Sequence, residues 1–211
     1  MSERRVEFRD AIAGNWTESA YYDDVESITD WFWRPDWPFR PLFDQLDLSD
    51  TIELACGRGR HAAQCLEACG TLTLVDVNAT NIAACRARFA GQDKVRFVLT
   101  PGNALPECPD GAYSAIFCYD AMVHFEMLDV LDYLREFRRV LRPGGRALLH
   151  LSNNRANPLG ACQDNEHWRN FGDLDVFRHF AHRLNFTILA SQTVDWGASP
   201  ALDGLLLIER G

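Results

Sequence analysis

The chain has 211 residues, of which 47% are apolar, and its formal net charge is −9 at neutral pH. A chain of this length and composition can bury about 70% of its unfolded surface in one globular domain, so residues 1–211 are expected to form a single domain. The negative charge argues against a protein whose main task is to neutralise nucleic-acid phosphates, and no nucleic-acid partner is expected.

The first residues lack the apolar segment of a signal peptide, and no later run has the roughly 18 to 20 uncharged residues of a membrane helix. We therefore expect a soluble, cytoplasmic protein without a membrane partner. The seven cysteines form neither CxxC pairs nor clusters with histidine at metal-binding spacing. They are interpreted as reduced, mainly buried side chains, and no metal site is expected.

Residues 1–50 are rich in aromatic side chains and contain three prolines between residues 35 and 41. Helices are predicted around residues 6–13 and 23–32, and a further helix could run from 41 to 46. The aromatic rings either cover the edge of a sheet or form a lid over a substrate pocket, and the lid is the preferred interpretation. The predicted pocket-wall residues of this lid are Tyr21, Tyr22, Trp31 and Trp33.

Residues 51–61 read TIELACGRGRH, which predicts a strand, a tight turn and the start of a helix. Gly57 and Gly59 allow the backbone to approach a ligand closely, and the helix N-terminus offers unpaired N–H groups. Such a turn can bind the polar end of an adenosyl cofactor.

From residue 51 onward, strands and helices alternate, which predicts a parallel sheet with helices on both faces. Only residues 196–204 separate the last two strands, so these strands are predicted to form an antiparallel hairpin. The predicted strands are 51–55, 71–75, 95–99, 113–119, 146–152, 186–195 and 205–210. The predicted helices are 60–69, one that Asn78 or Thr80 caps and that runs through Phe89, 128–141 ending at Pro143-Gly144-Gly145, and one capped by Asp173 that runs to Leu184.

Polar residues follow these strands at the edge where ligands bind in open α/β sheets. Asp76 ends the second strand, where its carboxylate can accept hydrogen bonds from both hydroxyls of an adenosine ribose. After the third strand, the Asn103 carbonyl can accept from an adenine amine and the Ala104 N–H can donate to a ring nitrogen. Asn103 could instead only form the turn.

His124, just past the fourth strand, is the best placed candidate for a general base, although it could also serve packing or a contact to the cofactor. His150 lies in an apolar run and is interpreted as a satisfied core histidine. Residues 153–172 form a loop too long for a plain connection and are predicted to be a second lid. Asn153 and His167 are its candidate substrate contacts, and residues 167–170 could either clamp a substrate or only fix the loop.

In this order and spacing, the motifs resemble those of the class I S-adenosylmethionine-dependent methyltransferases from about residue 51 to residue 210. The corresponding segments are ELACGRG at 53–59, the ribose acid Asp76, GNA at 102–104, AIFCYD at 115–120 and LRPGGR at 141–146. The chain departs from the family pattern at Ala55, where the family has its first glycine, and at Asn103, where it usually has Asp.

The resemblance implies a Rossmann-like, open seven-stranded sheet that is mostly parallel, and the cofactor S-adenosylmethionine. It also implies in-line transfer of a methyl group to an oxygen or nitrogen of a small-molecule acceptor. Glu53 could then meet the cationic amino group of the cofactor, directly or through water. The implied cofactor-binding residues are Glu53, Ala55, Gly57, Gly59, Asp76, Val77, Asn78, Asn103, Ala104, Tyr119 and Asp120.

The main alternative is a nicotinamide-dependent dehydrogenase, because Gly57-x-Gly59-x-x-Ala62 also fits the looser dinucleotide pattern. A non-catalytic nucleotide-binding module is the second alternative. The Pro-Gly-Gly turn and the closing antiparallel strand favour the methyltransferase. The protein is expected to be a monomer or a homodimer.

Overall fold

The computed structural model describes residues 3–211, and its centre is one seven-stranded sheet. The strands are β1 (Asp50–Leu54), β2 (Thr71–Asp76), β3 (Val95–Leu99), β4 (Tyr113–Cys118), β5 (Leu141–Ser152), β6 (Phe186–Trp196) and β7 (Ser199–Arg210). Their order across the sheet is β3-β2-β1-β4-β5-β7-β6. The first five strands run parallel to one another, and β7 is antiparallel to both β5 and β6. The predicted α/β sheet with its C-terminal hairpin is confirmed.

Helices cover both faces of this sheet. They are α1 (Glu3–Asn15), α2 (Tyr21–Glu26), α3 (Thr29–Phe32), α4 (Phe39–Phe43), α5 (Arg60–Cys65), α6 (Ala79–Arg88), α7 (Met127–Val140) and α8 (Leu174–Arg183). Because side chains alternate along a strand, Ile116 of β4 packs in the apolar cluster under α7 and α8. Its neighbour Phe117 packs in the cluster under α4, α5 and α6.

The strand order reverses between β1 and β4, and ligands of open α/β sheets bind in the crevice at such a point. The chain just beyond each of these two strands carries a non-glycine residue in the left-handed region. These residues are Ala55, with φ 55°, and Asp120, with φ 54°. This conformation costs energy and concentrates at functional sites.

The N-terminal segment, residues 3–49, packs against this edge of the sheet, and its helices differ from the predicted ones. The predicted helix 23–32 is divided into α2 and α3, because Ile28 between them has a non-helical backbone (φ −110°, ψ 7°). The predicted helix 41–46 instead begins at Phe39, whose buried ring stacks on Tyr119 at 3.8 Å. The stacking of Phe39 on Tyr119, just past β4, accounts for the earlier start of α4.

Several predicted boundaries inside the sheet domain are wrong. Strand β5 begins at Leu141, directly after α7, because Leu141 pairs with Tyr113. The Pro-Gly-Gly segment lies within β5, where the pairing with β4 is irregular. Strand β7 begins six residues earlier than predicted, so the hairpin turn is only Gly197 and Ala198. The predicted helix 60–69 continues after Cys65 only as a 3₁₀ segment, Leu66–Ala68.

Two capping predictions have different outcomes. Asp173 precedes α8 and its side chain accepts the Asp175 N–H, as expected. Asn78 occupies the N-cap position of α6 but makes no side-chain cap; its amide donates to the Ala13 carbonyl of α1.

All seven cysteines are free and buried, as predicted. None of the helices within residues 3–211 has the length and apolarity needed to cross a membrane.

Candidate active site

Two neighbouring cavities lie at the carboxyl ends of β1, β2 and β4. The inner cavity, about 110 Å³, is lined by these strand ends together with α1 and α2. The outer cavity, about 780 Å³, lies between the N-terminal segment, the loop that contains residues 167–169, and the β6–β7 turn. Trp16, Tyr21 and His124 line both cavities and form the partition between them.

Asp76 organises the floor of the inner cavity. Its Oδ2 accepts the Gly57 N–H at 2.9 Å, and its Oδ1 accepts the Asn78 N–H at 2.8 Å and the Asn81 amide at 3.1 Å. Burial raises the pKa of Asp76, and these hydrogen bonds to the charged form oppose that rise. The carboxylate therefore fixes the glycine loop and the start of α6 in one arrangement.

Gly57 is required by both backbone conformation and space. Its φ is 52°, and a Cβ atom there would lie 2.7 Å from Cε1 of Tyr22. The Tyr22 hydroxyl accepts a hydrogen bond from the Asn81 amide at 3.0 Å. Tyr22, predicted as a substrate contact, therefore packs on the glycine loop and lines the inner cavity only.

A buried cluster of charges surrounds Asp120 at the end of β4. Asp120 Oδ2 accepts hydrogen bonds from the Tyr21 hydroxyl and from Arg60 Nη2, the latter at 2.6 Å. Arg169 Nη2 lies 3.8 Å from Asp120 Oδ1 and donates to Asp203 Oδ2 at 2.7 Å. Tyr21 thus ties α2 of the N-terminal segment directly to the end of the central strand.

His150 completes this cluster. Its Nδ1 accepts the Asp120 N–H at 3.1 Å, so Nε2 carries the hydrogen that Asp203 Oδ2 accepts at 3.0 Å. Burial alone would raise the pKa of Asp203, but hydrogen bonds from His150 and Arg169 lower it to about 2. His150 is therefore the satisfied core histidine that the sequence predicted, and Arg169 fixes its loop to β7.

Three buried polar atoms of residues that line the inner cavity have no hydrogen-bond partner within residues 3–211. They are Arg60 Nη1, His61 Nε2 and Asp120 Oδ1. His61 Nδ1 accepts from Trp33 Nε1 at 2.9 Å, so its Nε2 is an N–H donor. Buried polar groups of native proteins are normally satisfied. Two donors and one carboxylate oxygen among the lining residues of one cavity suit the carboxylate and ammonium of an amino acid.

Glu53 has a different environment from Asp120. It is buried and its Oε2 has no partner within the described residues, but it does not line the inner cavity. Burial raises the pKa of its carboxyl well above the ordinary range, with a further rise from the nearby thiol of Cys85. Of these two residues, only Asp120 lines the inner cavity.

His124 is held in one tautomer. Its Nδ1 lies 2.7 Å from the Trp168 carbonyl oxygen and must donate to it, which leaves Nε2 as an acceptor. Burial, assisted by the positive charge of Arg169, lowers the pKa of His124 to about 4. The ring is therefore neutral at pH 7, and it packs 4.7 Å from the Trp16 ring.

The predicted site residues fall into three groups. Those that line the inner cavity are Tyr21, Tyr22, Ala55, Gly57, Asp76, Val77, Asn78, Tyr119, Asp120 and His124. Those that line the outer cavity are Tyr21, Trp31, His124 and His167. Those that line neither are Trp33, Glu53, Gly59, Asn103, Ala104 and Asn153.

The residues of the third group have structural contacts instead. Gly59 precedes α5 at φ 80°, where a Cβ would lie 2.6 Å from the Phe89 ring. The Asn103 amide donates to Asp132 at 3.2 Å. Asn153 Nδ2 donates to the Ala201 carbonyl at 2.8 Å, while its Oδ1 accepts the N–H that begins α8.

Many residues that line the two cavities were not among the predicted site residues, and they include Trp16, Arg60, His61, Arg169 and Trp196. Arg60 and His61 directly follow the glycine loop, so their polar character at that position was a usable signal. Trp16 and Trp196 are brought together only by the tertiary structure, and sequence spacing carried no signal for them.

Trp33 is buried, and its ring packs 4.7 Å from that of Phe43. We expect Trp33→Ala to lower the free energy of unfolding by about 3–5 kcal/mol, because it removes a large core side chain. Trp31 is 42% exposed, and Trp31→Ala is expected to cost less than about 1 kcal/mol. Urea denaturation measures both, and equal losses would contradict the division of the two tryptophans between core and cavity wall.

Residues 52–145 match the family model described as a methyltransferase domain. Over 133 residues the chain is 32% identical to methyltransferase GfsG of Streptomyces halstedii, a match that covers 60% of this chain and 47% of that protein. Over 96 residues it is 32% identical to the ubiquinone/menaquinone biosynthesis C-methyltransferase UbiE of Hahella chejuensis, covering 43% and 36% of the two chains. The chain thus spans about half or less of the curated relatives it matches.

A solved structure with a similar fold is geranyl diphosphate C-methyltransferase from Streptomyces coelicolor A3(2), in complex with Mg²⁺, geranyl diphosphate and S-adenosyl-L-homocysteine. Its TM-score is 0.71 at 16% identity, and the match covers 97% of this chain and 98% of that one. The fold, the motifs and these matches agree, and they support a class I S-adenosylmethionine-dependent methyltransferase. The resemblance inferred from the sequence is confirmed.

Proposed function

We propose that the protein binds S-adenosylmethionine in the inner cavity and transfers its methyl group to an oxygen or nitrogen of a small-molecule acceptor in the outer cavity. The observation that carries this proposal is the shared partition: Trp16, Tyr21 and His124 line both cavities. Two reactants on either side of such a partition are held at close range, and positioning supplies most of the rate in a displacement of this kind.

The residues of the inner cavity fit the cofactor in two parts. The glycine loop and Asp76 would hold the ribose, as we expected from the sequence. Arg60 Nη1 and His61 Nε2 would donate to the carboxylate of the methionine end, and Asp120 Oδ1 would accept from its ammonium group. This assignment gives a complementary hydrogen-bond partner to each of the three buried atoms that lack one in the protein.

His124 is proposed as the general base for a hydroxyl acceptor. When bound, the cofactor would supply an electrophilic sulfonium methyl group and would leave as a neutral thioether. His124 Nε2 would accept the proton that the acceptor hydroxyl loses. The Trp168 carbonyl keeps Nδ1 protonated, so the lone pair that can accept a proton lies on Nε2. The base is the reason to favour oxygen over nitrogen, since a neutral amine can lose its proton after the transfer.

The N-terminal segment and the loop 153–172 are proposed to act as lids over the two cavities and to belong to the same single domain as the sheet. The Tyr21 hydroxyl donates a hydrogen bond to Asp120, and the Trp168 carbonyl accepts one from His124, so both segments contact the residues around the partition. A closed site excludes water from the methyl group and preserves the alignment of the reactants.

The test is calorimetry of the full chain with S-adenosylmethionine, S-adenosylhomocysteine and NAD. The first two should bind, and NAD should not; binding of NAD alone would overturn the proposal. Asp76→Ala is expected to weaken cofactor binding by about 1.5–3 kcal/mol, because ribose hydroxyls lose a charged acceptor. An unchanged dissociation constant would show that Asp76 does not contact the ribose.

A further inference from the structure

The outer cavity has unusually aromatic walls. The rings of Trp31 and Trp37 lie 4.3 Å apart on one part of the wall, and those of Phe32 and Trp196 stack 5.7 Å apart with an interplanar angle of 9°. Its volume of about 780 Å³ falls within the range of about 300–1,000 Å³ typical of small-molecule sites. Walls of this kind favour a flat ligand, because planar rings stack on them with little loss of conformational entropy.

The lining residues offer no free positive charge for an anionic group. Arg169 is the one Lys or Arg among the lining residues within 3–211, and each of its side-chain nitrogens has a partner. Nε and Nη2 donate to the two oxygens of Asp203 at 2.9 and 2.7 Å, and Nη1 donates to the His167 carbonyl at 3.1 Å. A phosphate or carboxylate in this cavity would lose its hydration without gaining a comparable partner.

A cationic ligand would be no better accommodated. No Asp or Glu is among the lining residues within 3–211. Four of the lining rings that could attract a cation already lie near one from the protein: Arg169 lies 4.5 Å from the Trp196 ring centroid, and Arg34 lies 5.0 Å from that of Trp31. Arg60 lies 5.3 Å from the ring centroid of Phe32 and 5.9 Å from that of Tyr21. A further positive charge would be repelled at these rings.

We propose that the outer cavity binds a flat, uncharged, mainly apolar ring compound that carries a hydroxyl group, and that it discriminates against anionic and cationic analogues of the same ring. The hydroxyl is placed by His124 Nε2, an acceptor on the wall that this cavity shares with the inner one. Trp31 is a specificity-determining side chain of the cavity. The methylation of such a compound rests on the function proposed above; its binding does not.

Equilibrium dialysis of the full chain with three matched probes tests this proposal: 2-naphthol, 2-naphthyl phosphate and 2-naphthylmethylamine, at pH 7. We expect 2-naphthol to bind at least about tenfold more tightly than either charged probe, since each charge must be desolvated without a partner. Equal or tighter binding of a charged probe would overturn the proposal.

A pair of variants locates the probe. Trp31→Ala should weaken 2-naphthol binding about five- to tenfold, because it removes one aromatic wall. Phe8→Ala is the matched control, since Phe8 is an exposed aromatic residue of the same N-terminal segment that lines neither cavity. Equal effects of the two variants would place the probe elsewhere and contradict the proposal.

Binding of 2-naphthol and of S-adenosylhomocysteine to the same protein distinguishes failure of this proposal from failure of the proposed function. If 2-naphthol binds as expected while S-adenosylhomocysteine fails to bind, the methyltransferase proposal fails and the cavity assignment stands. If S-adenosylhomocysteine binds but the naphthyl phosphate is preferred, the cavity assignment fails and the methyltransferase proposal stands.

Discussion

Asp120→Asn should lower the free energy of unfolding by about 3–5 kcal/mol, because it leaves the guanidinium of Arg60 buried without its counter-charge. Asparagine tolerates the left-handed backbone of this position, so the change removes charge rather than conformation. Cofactor binding should weaken by roughly ten- to hundredfold as the ammonium group loses a charged acceptor. Urea denaturation and calorimetry measure the two effects.

Glu53→Gln is the matched control for this substitution. Both carboxyl groups are buried near the end of a central strand, but burial raises the pKa of Glu53 well above its usual range and so favours its neutral form. Its amide replacement is expected to change stability by less than about 1 kcal/mol and to leave cofactor binding intact. If Glu53→Gln weakened cofactor binding while Asp120→Asn did not, the ammonium group would belong to Glu53.

His124→Asn should reduce kcat for a hydroxyl acceptor by about 10²- to 10⁴-fold. The asparagine amide can still donate to the Trp168 carbonyl, as His124 Nδ1 does, but it offers no basic nitrogen at the position of Nε2. The dissociation constant of S-adenosylhomocysteine should be unchanged. A normal kcat with this variant would show that the ring serves packing against Trp16.

The pH dependence separates these two roles of His124. Its pKa of about 4 in the folded protein lies below the unfolded value of about 6.5, so the unfolded chain binds more protons between these values. Stability from this group is complete above pH 6.5 and falls by about 3 kcal/mol as the pH drops to 4. The wild-type rate should stay level down to about pH 5 and fall at lower pH. In His124→Asn, neither the rate nor the free energy of unfolding should show the pH dependence that protonation of His124 causes.

Local sequence was sufficient for the central strands of the fold. Strand β3 has the predicted bounds, and β1 and β2 differ from prediction by one residue, because apolar runs flanked by turn residues leave few alternatives. The start of β5 was missed because pairing of Leu141 with Tyr113 across the sheet overrides the local turn signal of Pro143 and its glycines.

The site was predictable where topology alone decides, at residues that follow strand ends, such as Asp76, Asp120 and His124. It was not predictable among the tryptophans of the N-terminal segment. Trp31 and Trp33 are two residues apart in similar surroundings, and only the short helix α3 turns one toward a cavity and the other toward His61 and the core. That helix depends on contacts with the sheet, which the segment itself does not encode.

The division of the two cavities along the chain has a consequence for how the protein can diversify. Of the fourteen residues that line the outer cavity within 3–211, His124 alone lies between β1 and β5; the other thirteen precede Asp50 or follow Ser152. The glycine loop, Asp76 and Asp120 all lie between those limits. Substitutions at outer-cavity residues other than Trp16, Tyr21 and His124 should therefore alter the proposed acceptor site while the glycine loop, Asp76 and Asp120 stay unchanged. Exchange of the whole N-terminal segment would also change the inner cavity, because α1 and α2 help to line it.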